Sequence, residues 1–228
     1  ATRLRHTATA AACLLALAAP WPATADSSIT VGVNNWIGGT SSDWFDHANW
    51  WAGPLFGLPD SRMPVFFGPV QTIVNGVPTS HFDLPLGEAV LAGSFVTPGL
   101  TLMAWDGVSR LRLNSGAVLT TTASIGGLNT AYTPTRAIQP ATLVLAGGTL
   151  NGSISFLEHS RLEVAGQYST LGASLSGTLS ELRLASGATL AMPGSTLSIG
   201  RVDNAGTLSL AAGGRLSVAG QVDNAGVF

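Results

Sequence analysis

The residues best suited to chemistry stand together in Phe156-Leu157-Glu158-His159-Ser160-Arg161-Leu162-Glu163-Val164. Convergent acids on one external face, or an acid with an arginine and a metal, carry the chemistry of β-helical lyases and glycosidases. Alternate residues of a strand share a face, so Arg161 and Glu163 would point outward together, where an ordinary surface ion pair is the competing reading. His81 and Asp83 stand two apart and could be metal ligands, but no third His or Cys lies nearby, and a solvated turn is expected instead. Asp203 and Asn204 invite a calcium reading, yet the nine-residue spacing of calcium-binding solenoids is missing. Trp44 and Trp51 are candidates for a flat face on which sugar rings stack. The competing reading is that the tryptophans fill a first rung and cap it. No G-x-S-x-G, P-loop or H-E-x-x-H motif occurs, and no catalytic residue, metal site or cofactor is expected.

What positions these residues is a repeat. Val202-Asp203-Asn204-Ala205-Gly206 returns 20 residues later as Val222-Asp223-Asn224-Ala225-Gly226. Leu111-Arg-Leu-Asn-Ser-Gly116-Ala-Val-Leu119 and Leu182-Arg-Leu-Ala-Ser-Gly187-Ala-Thr-Leu190 are nearly one sequence, with weaker copies starting at Leu143, Leu162 and Leu208. The five starts imply a unit near 20 residues, with insertions expected at 129–140 and 192–196. Period-two alternation puts Leu182 and Leu184 on one face and Arg183 on the other. Such a unit buries its leucines only when neighbouring coils stack on it. The expected fold is all-β, a right-handed parallel β-helix of about 20 residues per coil behind a Trp-rich N-terminal cap, with an antiparallel sandwich as the second choice. At the V-D-N-A-G corners, Asn204 and Asn224 are expected in left-handed conformation with amides bonding the adjacent coil. Gly206 and Gly226 are expected at positive φ.

Composition agrees with thin strands and tight turns. The 228 residues include 28 glycines, only 10% charged residues and a net charge of −2. All ten basic residues are arginines, and they are too scattered for a phosphate-tracking surface, so no nucleic-acid partner is expected. Residues 1–25 read as a secretory signal peptide: Arg3, Arg5 and His6, then the apolar run Ala8–Ala19, then Ala23-Thr24-Ala25 as an A-x-A site before Asp26. That run is too short to cross a bilayer, which needs about 20 apolar residues. The only cysteine, Cys13, leaves with it, so no disulfide or thiol chemistry is expected. Beyond it, residues 26–105 read as a Trp-rich module with irregular strands, and 106–228 as β-solenoid repeats cut short at Val227-Phe228.

The Trp-rich module carries Trp36, Gly38, Gly39, Asp43, Trp44, Ala48, Asn49, Trp50, Pro59, Asp60, Val65 and Phe67 in the order W-x-G-G, D-W, A-N-W, P-D, V-x-F. Over about 35 residues this resembles the start of exported bacterial β-repeat surface proteins, including autotransporter passengers. The resemblance implies a cell-surface, outer-membrane or secreted solenoid and no catalytic residue. The expected function is therefore a non-catalytic passenger-type stalk or adhesin segment that does not span the membrane. Its expected partners are surface glycans or host and cell-surface ligands. The alternative is a β-helical polysaccharide lyase or glycosidase, or a glycan-binding module.

Overall fold

The computed structural model describes residues 34–38, 41–51, 59, 61–68, 71–74, 77–81, 87–128, 137–167, 169–192 and 196–228. For Trp51, 71–74, 77–81 and Thr170 it describes the backbone alone. The signal-like segment 1–25, Asp83 and residues 129–136 lie outside the described residues. The chain divides into two units. In the smaller, Gln71–Val74 and Val77–His81 form an antiparallel hairpin.

The larger unit is a parallel β-solenoid of about six turns with about 21 residues per coil. Among the described residues helix is confined to a single 3-10 turn, His47–Asn49, begun by Asp46, whose side chain accepts from the Ala48 N–H. One ladder of parallel strands runs through Asn34–Trp36, Val65–Phe67, Leu100–Ala104, Val118–Leu128, Thr149–Phe156 and the start of Thr170–Leu184. A second runs through Glu88–Leu91, Arg110–Asn114, Ala141–Ala146, Ser160–Val164, the end of Thr170–Leu184, Thr196–Asn204 and Val222–Asn224. Thr189–Met192 and Thr207–Leu210 pair on a third side.

Because the side-chain period is two, each ladder sends one row inward and one outward. On the second ladder Ala89, Leu111, Leu143, Leu162, Leu182 and Val202 stand in register, and all are buried. Beside them run Leu91, Leu113, Leu145, Val164, Leu184 and then Asn204. Neighbouring rungs lie about 4.8 Å apart, so each leucine is covered from above and below. Stacking of that kind contributes about 1.5–3 kcal/mol per fully buried side chain.

The register corrects one detail of the repeat. The copies at Leu111, Leu143, Leu162 and Leu182 do share a row, but the next member after Leu182 is Val202, and Leu208 stacks instead on Leu190 of the third side. The period of 20 therefore continues unbroken from Leu182 to Val202 to Val222, without an inserted stretch. The long step is the one between Arg110 and Thr142, 32 residues for one coil.

The corner glycines also have a different cause from the one expected. Neither Gly206 nor Gly226 has positive φ, and nor do Asn204 and Asn224. A Cβ on Gly206 would overlap the carbonyl oxygen of Ala188, and one on Gly226 that of Gly206. Close backbone approach between coils is what excludes a side chain there.

Candidate functional site

The outward row of the second ladder gathers nearly half of the chain's charged residues. Glu88, Arg110, Thr142, Arg161, Glu181 and Arg201 form one line; Val90, Arg112, Val144, Glu163, Arg183, Asp203 and Asp223 form the other. Five of the ten arginines and five of the twelve acids thus stand on one face. Stacked like charges repel, so the alternation of sign helps hold neighbouring coils in register.

The bonds run between coils more than along strands. Arg110 gives Nε to Glu88 Oε1 at 2.8 Å and Nη2 to Glu163 Oε2 at 2.5 Å. Arg112 gives Nε to the same Glu88 oxygen at 2.9 Å. Arg110 reaches Glu163 across the rung that holds Thr142 and Val144, and both of these outward side chains are nearly sealed from solvent, 4% and 1% exposed. Arg161 Nε donates to Glu181 Oε2 at 2.6 Å, and Arg183 Nε to Glu181 Oε1 at 2.7 Å, so one carboxylate anchors two guanidinium groups. Arg201 Nη2 reaches Asp223 Oδ2 at 2.9 Å. Asp203 has no ion-pair partner among the described residues.

Electrostatics follow from these partners. Burial by itself would raise the Glu181 carboxyl, but the hydrogen bond from Arg183 and the charge of Arg161 outweigh it and hold its pKa below the ordinary carboxylate value. For Arg110, burial is outweighed by the hydrogen bonds to Glu163 and Glu88, and its guanidinium binds its proton more tightly than usual. A general acid at neutral pH needs the opposite, a carboxyl raised toward the working pH. Shallow depressions of about 420 Å³, lined by His159, Arg161, Glu181, Arg183 and Arg201 among others, and about 350 Å³, with Glu163, Arg183 and Asp203, lie over this face.

Arg161 and Glu163 do share the outward face, as their spacing requires, with Nη1 and Oε1 3.8 Å apart. Each has a closer partner elsewhere, however: Arg161 on Glu181 and Glu163 on Arg110. Glu158 and His159 sit in an exposed turn, where the Glu158 carbonyl accepts the Gly127 N–H and His159 holds a left-handed φ of 59°. Among the described residues no group of three His, Cys, Asp or Glu side chains is placed to hold a metal ion. Asp203 and Asn204 do not converge, since their side chains point to opposite faces of the strand.

Trp44 is not a sugar-stacking face. Its side chain is 0% exposed, and its ring packs edge-on to Trp50 at 4.7 Å and to Phe95 at 5.2 Å. Trp36 and Trp50 are equally buried, and Trp36 lies stacked on Phe67 at 5.7 Å. A ring covered on this scale has no surface to offer a ligand. The Trp51 side chain lies outside what is described; its backbone pairs antiparallel with Asn35. The cluster is pinned by polar bonds. Trp50 Nε1 donates to the Trp44 carbonyl at 2.6 Å, while the buried Asn49 amide donates to Ser41 Oγ and the Asp43 carbonyl, both at 2.9 Å. The D-W and A-N-W elements are thus parts of one folded turn over the first rung.

In the sequence the Asn ladder shows only as a corner repeated at Asn204 and Asn224. Asn204, fully buried, donates from Nδ2 to Asn224 Oδ1 at 2.8 Å and to the Val227 carbonyl at 3.1 Å, and its Oδ1 accepts the Gly206 N–H at 3.1 Å. The expected amide bond between coils is present. Comparison of the chain with protein-family models, curated proteins and solved structures found no match in any of the three.

Proposed function

We propose that this chain is a non-catalytic exported surface protein, a passenger-type β-solenoid segment that serves as a stalk or adhesin at the cell surface or outside the cell. The observation that carries this reading is the commitment of the outward carboxylates. Glu88, Glu163 and Glu181 each accept a hydrogen bond from an arginine, so no carboxylate among them is left ready to work against another. Export is supported by the basic, apolar and small-residue order of residues 3–25, and the passenger character by the W-x-G-G, D-W, A-N-W module. Surface glycans or ligands on another cell are the partners such a segment would meet.

Two measurements test it. An epitope-tagged chain expressed in a Gram-negative host is expected outside the cytoplasm with Asp26 as its first residue. Cytoplasmic retention with Arg3 intact would refute export. The purified chain is expected to leave pectin, alginate and glucans unchanged, and turnover abolished by Glu163→Gln would overturn the non-catalytic reading.

A further inference from the structure

Charge on the outward face is not evenly spread. Arg161, Glu181 and Arg201 stand on successive rungs of one outward row, and Arg183 stands beside Glu181 on the next. These four side chains line the depression of about 420 Å³, where three guanidinium groups face one carboxylate, an excess of two positive charges. The neighbouring depression of about 350 Å³ has the reverse balance, Glu163 and Asp203 against Arg183 alone. Arg110 and Arg112 are matched by Glu88 and Glu163. An anion therefore finds its best electrostatic match between Arg161 and Arg201.

The guanidinium groups there are held in place yet keep donors to give. Glu181 is the most covered of the four side chains and accepts from Nε of both Arg161 and Arg183. Among the described residues no hydrogen bond takes the Nη groups of either arginine, and Glu163 Oε1, 3.8 Å from Arg161 Nη1, is beyond hydrogen-bonding reach. Arg201 gives Nη2 to Asp223, whose two oxygens also accept from the Gln221 amide. Arg183 and Arg201 are each nearly half exposed. Guanidinium groups already fixed through Nε lose little further freedom on meeting a second carboxylate, whose two oxygens match their forked donors. Ile138 and Pro140 line the same depression and add an apolar wall beside the charges. A ligand with an apolar ring face and an anionic substituent satisfies both sides.

We propose, resting on the surface-glycan reading above, that this depression binds a hexuronate unit of an acidic glycan. Arg161, Arg183 and Arg201 take the carboxylate, and Ile138 and Pro140 meet the C–H face of the sugar ring. The site binds without turnover, because Glu181, its one lining carboxylate, is held by two arginines.

The test titrates a fluorescent oligogalacturonate into the 228-residue chain and follows anisotropy. Saturable binding that weakens with added salt is expected, and the methyl-esterified oligosaccharide, which has lost only its charge, is expected not to bind. Arg183→Gln and Arg201→Gln should each weaken binding about tenfold. Arg112→Gln, on the same face but outside the depression, should leave it unchanged. A hyaluronan oligosaccharide carries the same carboxylate on glucuronate, so binding of either acid supports the site and the tighter one names the source. Failure of both to bind, equal binding of the methyl ester, or an equal loss in Arg112→Gln would overturn the proposal. The ester comparison uses the unaltered chain, so it decides even where a variant misfolds. A chain found outside the cell that binds neither acid would end the site and leave the exported role standing; one that binds but stays in the cytoplasm would do the reverse.

Discussion

Replacing Asn204 by alanine tests the ladder at its most buried polar point. The change removes two donated bonds and one accepted bond. Asn224 and Val227 are exposed, so Asn224 Oδ1 and the Val227 carbonyl can turn to water, and each lost bond costs about 0.5–1 kcal/mol. Gly206 is buried, and its N–H would be left without an acceptor, at about 1–3 kcal/mol. The total is about 2–5 kcal/mol, felt where coils 200–228 meet. Asn204→Asp separates the terms: it keeps an acceptor for Gly206 but sets a carboxylate oxygen against Asn224 Oδ1 and the Val227 carbonyl. It is expected to destabilise at least as much as alanine at neutral pH. Native-state hydrogen exchange is the assay, because solenoids open locally. Amides of 202–208 should exchange at least about thirtyfold faster in Asn204→Ala, following about 1.4 kcal/mol per tenfold, while those of Leu143 and Leu162 change little. An acceleration below tenfold at Gly206, or an Asp variant as stable as the original, would refute the assigned geometry.

Leu182, buried between Leu162 and Val202, should lose about 3–5 kcal/mol as alanine, read as a fall in the denaturation midpoint. Glu181→Gln removes the anchor of Arg161 and Arg183 and should lower stability by about 1–2 kcal/mol at pH 7. Since the folded pKa of Glu181 is lowered, its contribution is present above the unfolded value, about 4.3, and is lost as pH falls through the folded one. Melting curves of the two proteins should therefore converge in acid, and a gap that widened below pH 4 would contradict the pairing. His159→Gly relieves a left-handed non-glycine residue and should raise the melting temperature, by about 0.5–1 kcal/mol in stability terms; an unchanged or lower value would count against strain at that turn.

Much of this fold is readable because it is local. In Leu-Arg-Leu and Leu-Glu-Val, alternation alone tells which side chain is buried, and Leu111, Leu143, Leu162 and Leu182 do fall in one row. The same alternation misleads at Leu208, because Thr-Leu-Ser-Leu reads like another member of that row while stacking on Leu190 around the corner. Position around a coil depends on where the chain bends, and alternation is blind to that. The corner position of Gly206 is legible in the sequence but its cause is not, since a glycine demanded by positive φ and one demanded by a neighbouring carbonyl are spelled alike.

Residues in contact across coils needed the structure. Trp44 is aromatic in either role, and only the placement of Trp50, Phe67 and Phe95 around it decides that its ring is core. In the sequence Glu163 stands beside Arg161, two residues away, but its short bond comes from Arg110, 53 residues earlier and two rungs distant. By itself the sequence determines the inward and outward rows, the 20-residue period and the Asn corner that repeats with it, because each follows from the geometry of a few consecutive residues. The tertiary structure alone decides which arginine holds which carboxylate and which tryptophan is covered. Those outcomes depend on the number of residues each coil spends in its turns, and so on which rungs come to lie side by side.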